Sequence, residues 1–235
     1  MPNARTDAFL DLYRQLEAAL RTRYELSEKE SALVWAERHC SELRSLSDEL
    51  YCCRKLRNLL THNPLVGGEY LAEPSEALLA VLQEALGRVE EPKLALQVGV
   101  QGDDVYTREM DDLVRPALAA MRSQGYSHVP IVQDGVVEGM FCEGSLLALH
   151  TEHEHVAIDF ATTFSDIFEA LPLYAHTRER FPFVARDATL GFVADLFEAA
   201  DARELRIGLV LVTEHGAQDE RLLGIVSASD VAAAL

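Results

Sequence analysis

Three short stretches of the chain carry residue types that can do chemistry. The first is "CRKLRNLLTHNP", Cys53 to Pro64, in which Arg57 and Asn58 are followed by His62. A histidine near neutral pH can move a proton, and a guanidinium can stabilise the extra negative charge of a pentacoordinate phosphate. Asn58 would orient the phosphate or the imidazole. The substrate of such a set is RNA, whose own 2′-hydroxyl attacks without a metal-activated water. The second stretch is Gly224-Ile225-Val226-Ser227-Ala228-Ser229-Asp230. The glycine admits close approach to the strand backbone. Ser227 presents a hydroxyl and free backbone donors to an anion where strand turns into helix. Asp230, one turn on, can accept both hydroxyls of a ribose. The third stretch is "HTEHEH", His150 to His155, whose histidines with Glu152 and Glu154 could hold zinc.

Each stretch also has a plainer reading. Five residues of an ideal helix turn about 500°, so Arg57 and His62 point about 140° apart. One helix does not align them, whereas a dimer pairing two such helices would. A histidine near a helix C-terminus is favoured by the dipole, and Asn63-Pro64 ends the helix. Arg57 lies four residues after Cys53 and three before Leu60, inside an apolar stripe. A guanidinium there needs a partner, an anion or a subunit boundary. Ser227-x-x-Asp230 has the spacing of a capping box. "HTEHEH" reads as a solvated linker, and no second ligand cluster has a recognised spacing, so no metal site is expected.

The elements that would hold these residues follow two different patterns. Residues 1–92 read as a helical bundle. Phe9, Leu12, Tyr13, Leu16, Leu20 and Tyr24 recur at helical spacing. Ser27-Glu28-Lys29-Glu30 reads as a capping box opening a second helix through Leu33 and Ala36. A third helix runs from about Ser47 to His62, and Pro74 opens a fourth that Gly87 ends. From residue 98 the pattern becomes strand, helix, hairpin, helix. Val105-Tyr106 reads as a strand, and a helix follows over about Asp111–Gln124. "SHVPIV", an Asp134-Gly135 turn and "VVEGMF" form a hairpin, and a short helix closes the unit near Ser145–His150. The order returns over residues 158–235: "FPFV", a helix capped by Asp187, "RIGLVLV", "LLGIVS" and "ASDVAAAL". Gly139 and Gly224 mark equivalent points of this β-α-β-β-α repeat. The fold class is α+β, with first repeat 98–150 and second repeat 158–235.

Composition narrows the partners. Apolar residues make up 49% of 235, enough for a substantial core. The net charge is −18: residues 1–90 hold 11 Lys/Arg against 15 Asp/Glu, and residues 91–235 hold 10 against 24. The C-terminal part therefore repels long polyanions, though backbone donors can still hold a small nucleotide. No apolar run is long enough to span a bilayer, so no membrane partner is expected. "MPNARTDAFL" lacks the layout of a secretion signal. Cys40, Cys52, Cys53 and Cys142 have no zinc spacing. A cytoplasmic protein with free thiols is expected.

"GYSHVPIVQDGVVEGMF" and "RIGLVLVTEHG…LLGIVSASDV" resemble cystathionine-β-synthase (CBS) domains, a tandem pair of which forms a Bateman module. The resemblance covers roughly residues 98–235. It implies a regulatory module binding an adenosine nucleotide (AMP, ADP or ATP), with magnesium only alongside the nucleotide, and a homodimer. The family's phosphate-ribose motif is matched in full by Gly224, Ile225, Ser227 and Asp230. The resemblance also implies Val184, Ile207 and Leu209 as neighbours of the adenine. In the first repeat Cys142 and Ser145 replace the motif's Ser/Thr and Asp, and Glu143 adds a negative charge. That site is expected to be weakened or without ligand. The N-terminal helices with "RNLLTH" resemble HEPN domains, many of which are metal-independent ribonucleases. This resemblance implies the alternative function: RNA cleavage by Arg57, Asn58 and His62, gated by the CBS module.

Overall fold

The computed structural model describes residues 4–62, 65–66, 69–70, 72–152, 158–199 and 205–234. The chain divides into two compact units, Met1–Lys93 and Leu94–Leu235.

The first unit is helical. Its elements are α1 (Ala4–Arg23), α2 (Ala32–His39), a 3-10 segment (Ser41–Leu46), α3 (Ser47–His62), the paired two-residue strands β1 (Leu65–Val66) and β2 (Glu69–Tyr70), and α4 (Glu76–Glu90). α1 lies along α4. Phe9, Tyr13, Leu16 and Leu20 are spaced by three or four residues and form one buried stripe. Leu33, Ala36, Leu43, Leu50, Cys53, Leu60, Leu82, Ala85 and Val89 complete the core. α3 has the bounds that its sequence pattern predicts.

Two punctuation marks act otherwise than the sequence suggests. Glu30 does accept from the backbone N–H and hydroxyl of Ser27, at 3.2 and 2.9 Å. These bonds close a turn, and α2 starts only at Ala32, behind Ser31. Gly87 does not stop α4, which continues to Glu90 and buries Val89. Burial of one more apolar residue outweighs the helix cost of a glycine, about 1 kcal/mol. The N-terminus of α4 is closed by Ser75, whose hydroxyl accepts from the Leu78 N–H at 3.3 Å.

The second unit repeats one motif. The first copy contains β3 (Val100–Gln101), α5 (Val114–Gln124), β4 (His128–Gln133), β5 (Val136–Cys142) and α6 (Glu143–Glu152). The second contains β6 (Glu179–Arg180), β7 (Phe183–Ala185), α7 (Leu190–Glu198), β8 (Arg206–Ile207), β9 (Val210–Thr213), β10 (Gly224–Val226) and α8 (Ala228–Ala234). β4 and β5 form an antiparallel hairpin, β6 and β8 pair in parallel, and the remaining strands lie in the order β3-β10-β9-β7. The hairpin turn has φ 52° at Asp134 and 83° at Gly135, the two positive values of a type I′ turn.

The duplication extends to backbone hydrogen bonds. The Phe164 N–H donates to the Asp112 carbonyl at 3.1 Å, and the Ala95 N–H donates to the Ala188 carbonyl at 2.9 Å. Each bond ties a segment that leads into one repeat to the residue two before a helix start in the other. Gly139 and Gly224 are also equivalent. A Cβ on Gly139 would lie 2.7 Å from the Leu171 carbonyl oxygen, and one on Gly224 would lie 2.6 Å from the Val100 oxygen. The chain's own backbone uses the space that each glycine leaves.

Three local expectations are corrected here. Val105-Tyr106 is not a strand; the pairing residues are Val100-Gln101, which reach β10. α5 begins at Val114 rather than near Asp111, because residues 112–114 bond to residues 162–164. Thr189, not Asp187, caps α7, accepting from the Phe192 N–H at 3.1 Å. Thr189→Ala should therefore lower stability by about 1 kcal/mol, read as a reduced urea midpoint, while Asp187→Ala should change it little.

Candidate functional site

α6 begins directly where β5 ends, so the junction at Cys142 exposes the first N–H groups of a helix. Ser145 closes that junction. Its buried hydroxyl accepts from the Cys142 N–H at 3.2 Å and donates to the Met140 carbonyl at 3.2 Å. The second repeat makes the same closure with charge. Asp230 Oδ2 accepts from the Ser227 N–H at 2.8 Å and from its hydroxyl at 2.7 Å. The Asp230 N–H returns a bond to Ser227 Oγ at 3.2 Å. The Cys142/Ser145 pair thus keeps the turn of the motif with different atoms.

Two clefts, each of about 500 Å³, flank His176 and Glu179. One has apolar walls of Pro172, Leu173, Phe181 and Phe183. The other opens at the start of α6 and gathers polar groups: Ser127, His128, Cys142, Thr177, Arg178 and Arg206. β4 brings His128 to its floor, and β6 brings Glu179. The His128 Nε2 lies 2.8 Å from Glu179 Oε2, and its Nδ1 lies 2.8 Å from the Ser127 hydroxyl. Arg206 donates to Glu179 Oε1. Burial alone would raise the Glu179 pKa, but its hydrogen bonds and charge interactions with His128 and Arg206 outweigh burial and hold it below the usual value.

His176 is buried beneath Cys142. Its Nε2 donates to the Met140 carbonyl at 3.1 Å, and its Nδ1 lies 3.7 Å from Cys142 Sγ. Burial pushes the His176 pKa down and the Cys142 pKa up, so both groups are held neutral. Phe181 presents its ring to both imidazoles in edge-on contacts, at 5.5 Å from His128 and 5.1 Å from His176.

The residues singled out from the sequence occupy other places. Gly224 and Ile225 lie on β10, and Ser227 and Asp230 sit at the start of α8. Val184 and Ile207 are buried in the core of the second repeat, and Leu209 in the cluster with Phe181 and Leu211. None of these seven residues lines either cleft. In the helical unit, Arg57 is half-buried, 5.4 Å from the centre of the Tyr13 ring, and donates to Asn58 Oδ1 at 3.2 Å. His62 is exposed at the end of α3. One turn before Arg57, Arg54 grips Glu37 with two bonds of 2.9 and 3.2 Å. Asn63-Pro64 and His153 to His155 lie outside the described residues. Cys40, Cys53 and Cys142 are buried and Cys52 is exposed. Burial pushes Cys40 up to about 11 and Cys53 up to about 12.

His128, His176, Glu179, Arg178 and Arg206 belong to no motif or spacing in the sequence. One signal was present. His128 opens an otherwise apolar strand, and Glu179 stands two residues before "FPFV". A polar residue entering a buried strand needs a partner.

Among the described residues, no helix is long and apolar enough to cross a membrane. A search of curated proteins returns no match. Solved structures to which this chain is similar include three with bound adenosine compounds. Arabidopsis thaliana CBSX2 in complex with AMP is 18% identical, with 60% of this chain and 95% of that chain covered and a TM-score of 0.43. CbpB in complex with c-di-AMP is 16% identical, with 59% and 81% covered and a TM-score of 0.43. The CBS domain pair of protein MJ0100, in complex with 5′-methylthioadenosine and S-adenosyl-L-methionine, is 17% identical, with 61% and 95% covered and a TM-score of 0.42. Residues 174–235, the second of the two repeats, match the family described as the CBS domain.

Proposed function

We propose that the C-terminal unit is a regulatory module that senses an adenosine nucleotide, AMP, ADP or ATP. The observation that carries this reading is the polar cleft at the start of α6. Its volume of about 500 Å³ suits a nucleotide. Arg178 and Arg206 stand at its wall. With the first N–H groups of α6 they offer charge and donors to a phosphate, inside a unit that otherwise repels anions. Ser127, Thr177 and Glu179 offer partners for ribose hydroxyls or a base amino group. The resemblance to CBS domains supplies the ligand class.

A second reading places the nucleotide on the second repeat. The complete motif from Gly224 to Asp230 favours it. Both bonds from Ser227 fall on Asp230 Oδ2, so Oδ1 can still meet a ribose.

Calorimetry with AMP, ADP, ATP and a guanine nucleotide, with and without magnesium, tests both readings. In the first, Arg178→Ala weakens adenine-nucleotide binding roughly 10- to 150-fold, the effect of losing a charged hydrogen bond, and Asp230→Ala leaves it within about twofold. The reverse pattern assigns the ligand to the second repeat. Wild-type protein that binds no nucleotide ends the sensor reading.

A further inference from the structure

We infer that the floor of the polar cleft is a binding site for a zinc-type transition-metal ion, built from His128, Cys142 and Glu179, with His176 beside the sulfur and an open fourth position. The imidazole nitrogen, the thiol sulfur and a carboxylate oxygen of the first three lie within 4.8 Å of one another. A tetrahedral zinc site with bonds of about 2.0–2.3 Å needs donors roughly 3.3–3.8 Å apart, so small side-chain rotations close the set. The Nδ1 of His176 is already 3.7 Å from Cys142 Sγ.

The surroundings hold each donor in a usable orientation. A metal-bound imidazole needs its other nitrogen to donate a hydrogen bond. The Nε2 of His176 does so to Met140, which leaves Nδ1 facing the sulfur. The Nδ1 of His128 has the Ser127 hydroxyl, which can accept as readily as donate, so Nε2 is free to turn to a metal. Arg206 holds Glu179 by Oε1, leaving Oε2 as the ligand oxygen. The Cys142 thiol releases its proton to solvent on binding. One thiolate and one carboxylate then balance the two charges of the ion.

Gly208 supplies a further observation. A Cβ there would lie 2.7 Å from Phe181 Cε1, 2.9 Å from His128 Nε2 and 3.1 Å from Glu179 Oε2. Gly208 puts no side chain of its own against the two donor atoms or the Phe181 ring beside them. A thiolate and an imidazole select a borderline-soft ion over magnesium or calcium. The inference does not depend on nucleotide binding.

The test is titration of the reduced, metal-stripped full chain with Co²⁺ and Zn²⁺, without nucleotide. The expected result is one Co²⁺ per chain with a thiolate-to-metal charge-transfer band, displaced by Zn²⁺. Cys142→Ser should abolish the band and weaken Zn²⁺ binding about 100-fold or more, while the melting temperature of the metal-free protein holds. X-ray absorption on the wild type with Zn²⁺ gives a readout that needs no variant, with one sulfur at about 2.3 Å and nitrogen or oxygen neighbours at about 2.0 Å. A wild type with no sulfur neighbour overturns the inference. So does a band that survives in Cys142→Ser, which would assign the metal to another cysteine.

Discussion

Gly224→Val should lower the melting temperature of the C-terminal unit by about 10 °C, and Gly139→Val should do the same. Side chains crowd both positions, Leu96 Cδ1 at 2.6 Å from one and Leu171 Cβ at 2.9 Å from the other, but backbone atoms stand in the way as well. A Cβ at 224 meets the Val100 carbonyl oxygen at 2.6 Å, and a Cβ at 139 meets the Leu171 oxygen at 2.7 Å and its carbonyl carbon at 3.0 Å. No rotamer change relieves either contact. The neighbouring segment must move away, and with it go β3–β10 pairing or the Met140-to-Leu171 hydrogen bond of 2.8 Å. Overpacking and the lost bonds together cost roughly 3 kcal/mol or more, and each kcal/mol is worth about 2–4 °C in a unit of this size. Gly87→Ala is the control. Nothing lies within 4 Å of its Cβ position, and the residue sits inside α4. There the added methyl should stabilise by about 0.5–1 kcal/mol. Calorimetric scans of the three variants check the contrast, and equal effects at 87 and 224 would refute the packing argument.

Glu179→Ala should cost about 2–3 kcal/mol. It removes the one anion shared by His128 and Arg206. Arg206, 76% exposed, regains water, but the His128 ring stays buried without its partner, and that desolvation carries most of the loss. The effect depends on pH in a definite sense. The folded pKa of Glu179 lies below the unfolded value, because His128 and Arg206 outweigh burial. Its stabilisation is therefore complete above the unfolded value of about 4.3 and is lost as pH falls through the folded one. Urea denaturation of wild type and Glu179→Gln at a series of pH values measures this. The gap between the two should be constant near neutral pH and shrink below about pH 4. A gap that does not narrow in acid would remove the ion pair from the account.

The sequence by itself determined what depends on neighbours along the chain. The apolar spacing from Phe9 to Leu20 and from Leu50 to Leu60 made α1 and α3 legible, because a helix repeats every 3.6 residues. Asp134-Gly135 announced its hairpin, since only such residues accept two positive φ values cheaply. The repeated order of elements, with Gly139 and Gly224 in register, was legible for the same reason. Capping was legible only as spacing: Ser227 and Asp230 bond as expected, whereas the Ser27–Glu30 contact closes a turn short of α2. The tertiary structure alone decided where donors converge. His128 and Glu179 are 51 residues apart and His176 and Met140 are 36 apart, so no local period relates them. His128 and Glu179 meet because β4 and β6 bring them to one floor, β5 brings Met140 to His176, and burial leaves these polar groups one another to bond. Arg57 shows the converse. Its place in the apolar stripe was plain from the sequence, but only packing showed a tyrosine ring beside it, against which a half-buried cation can rest.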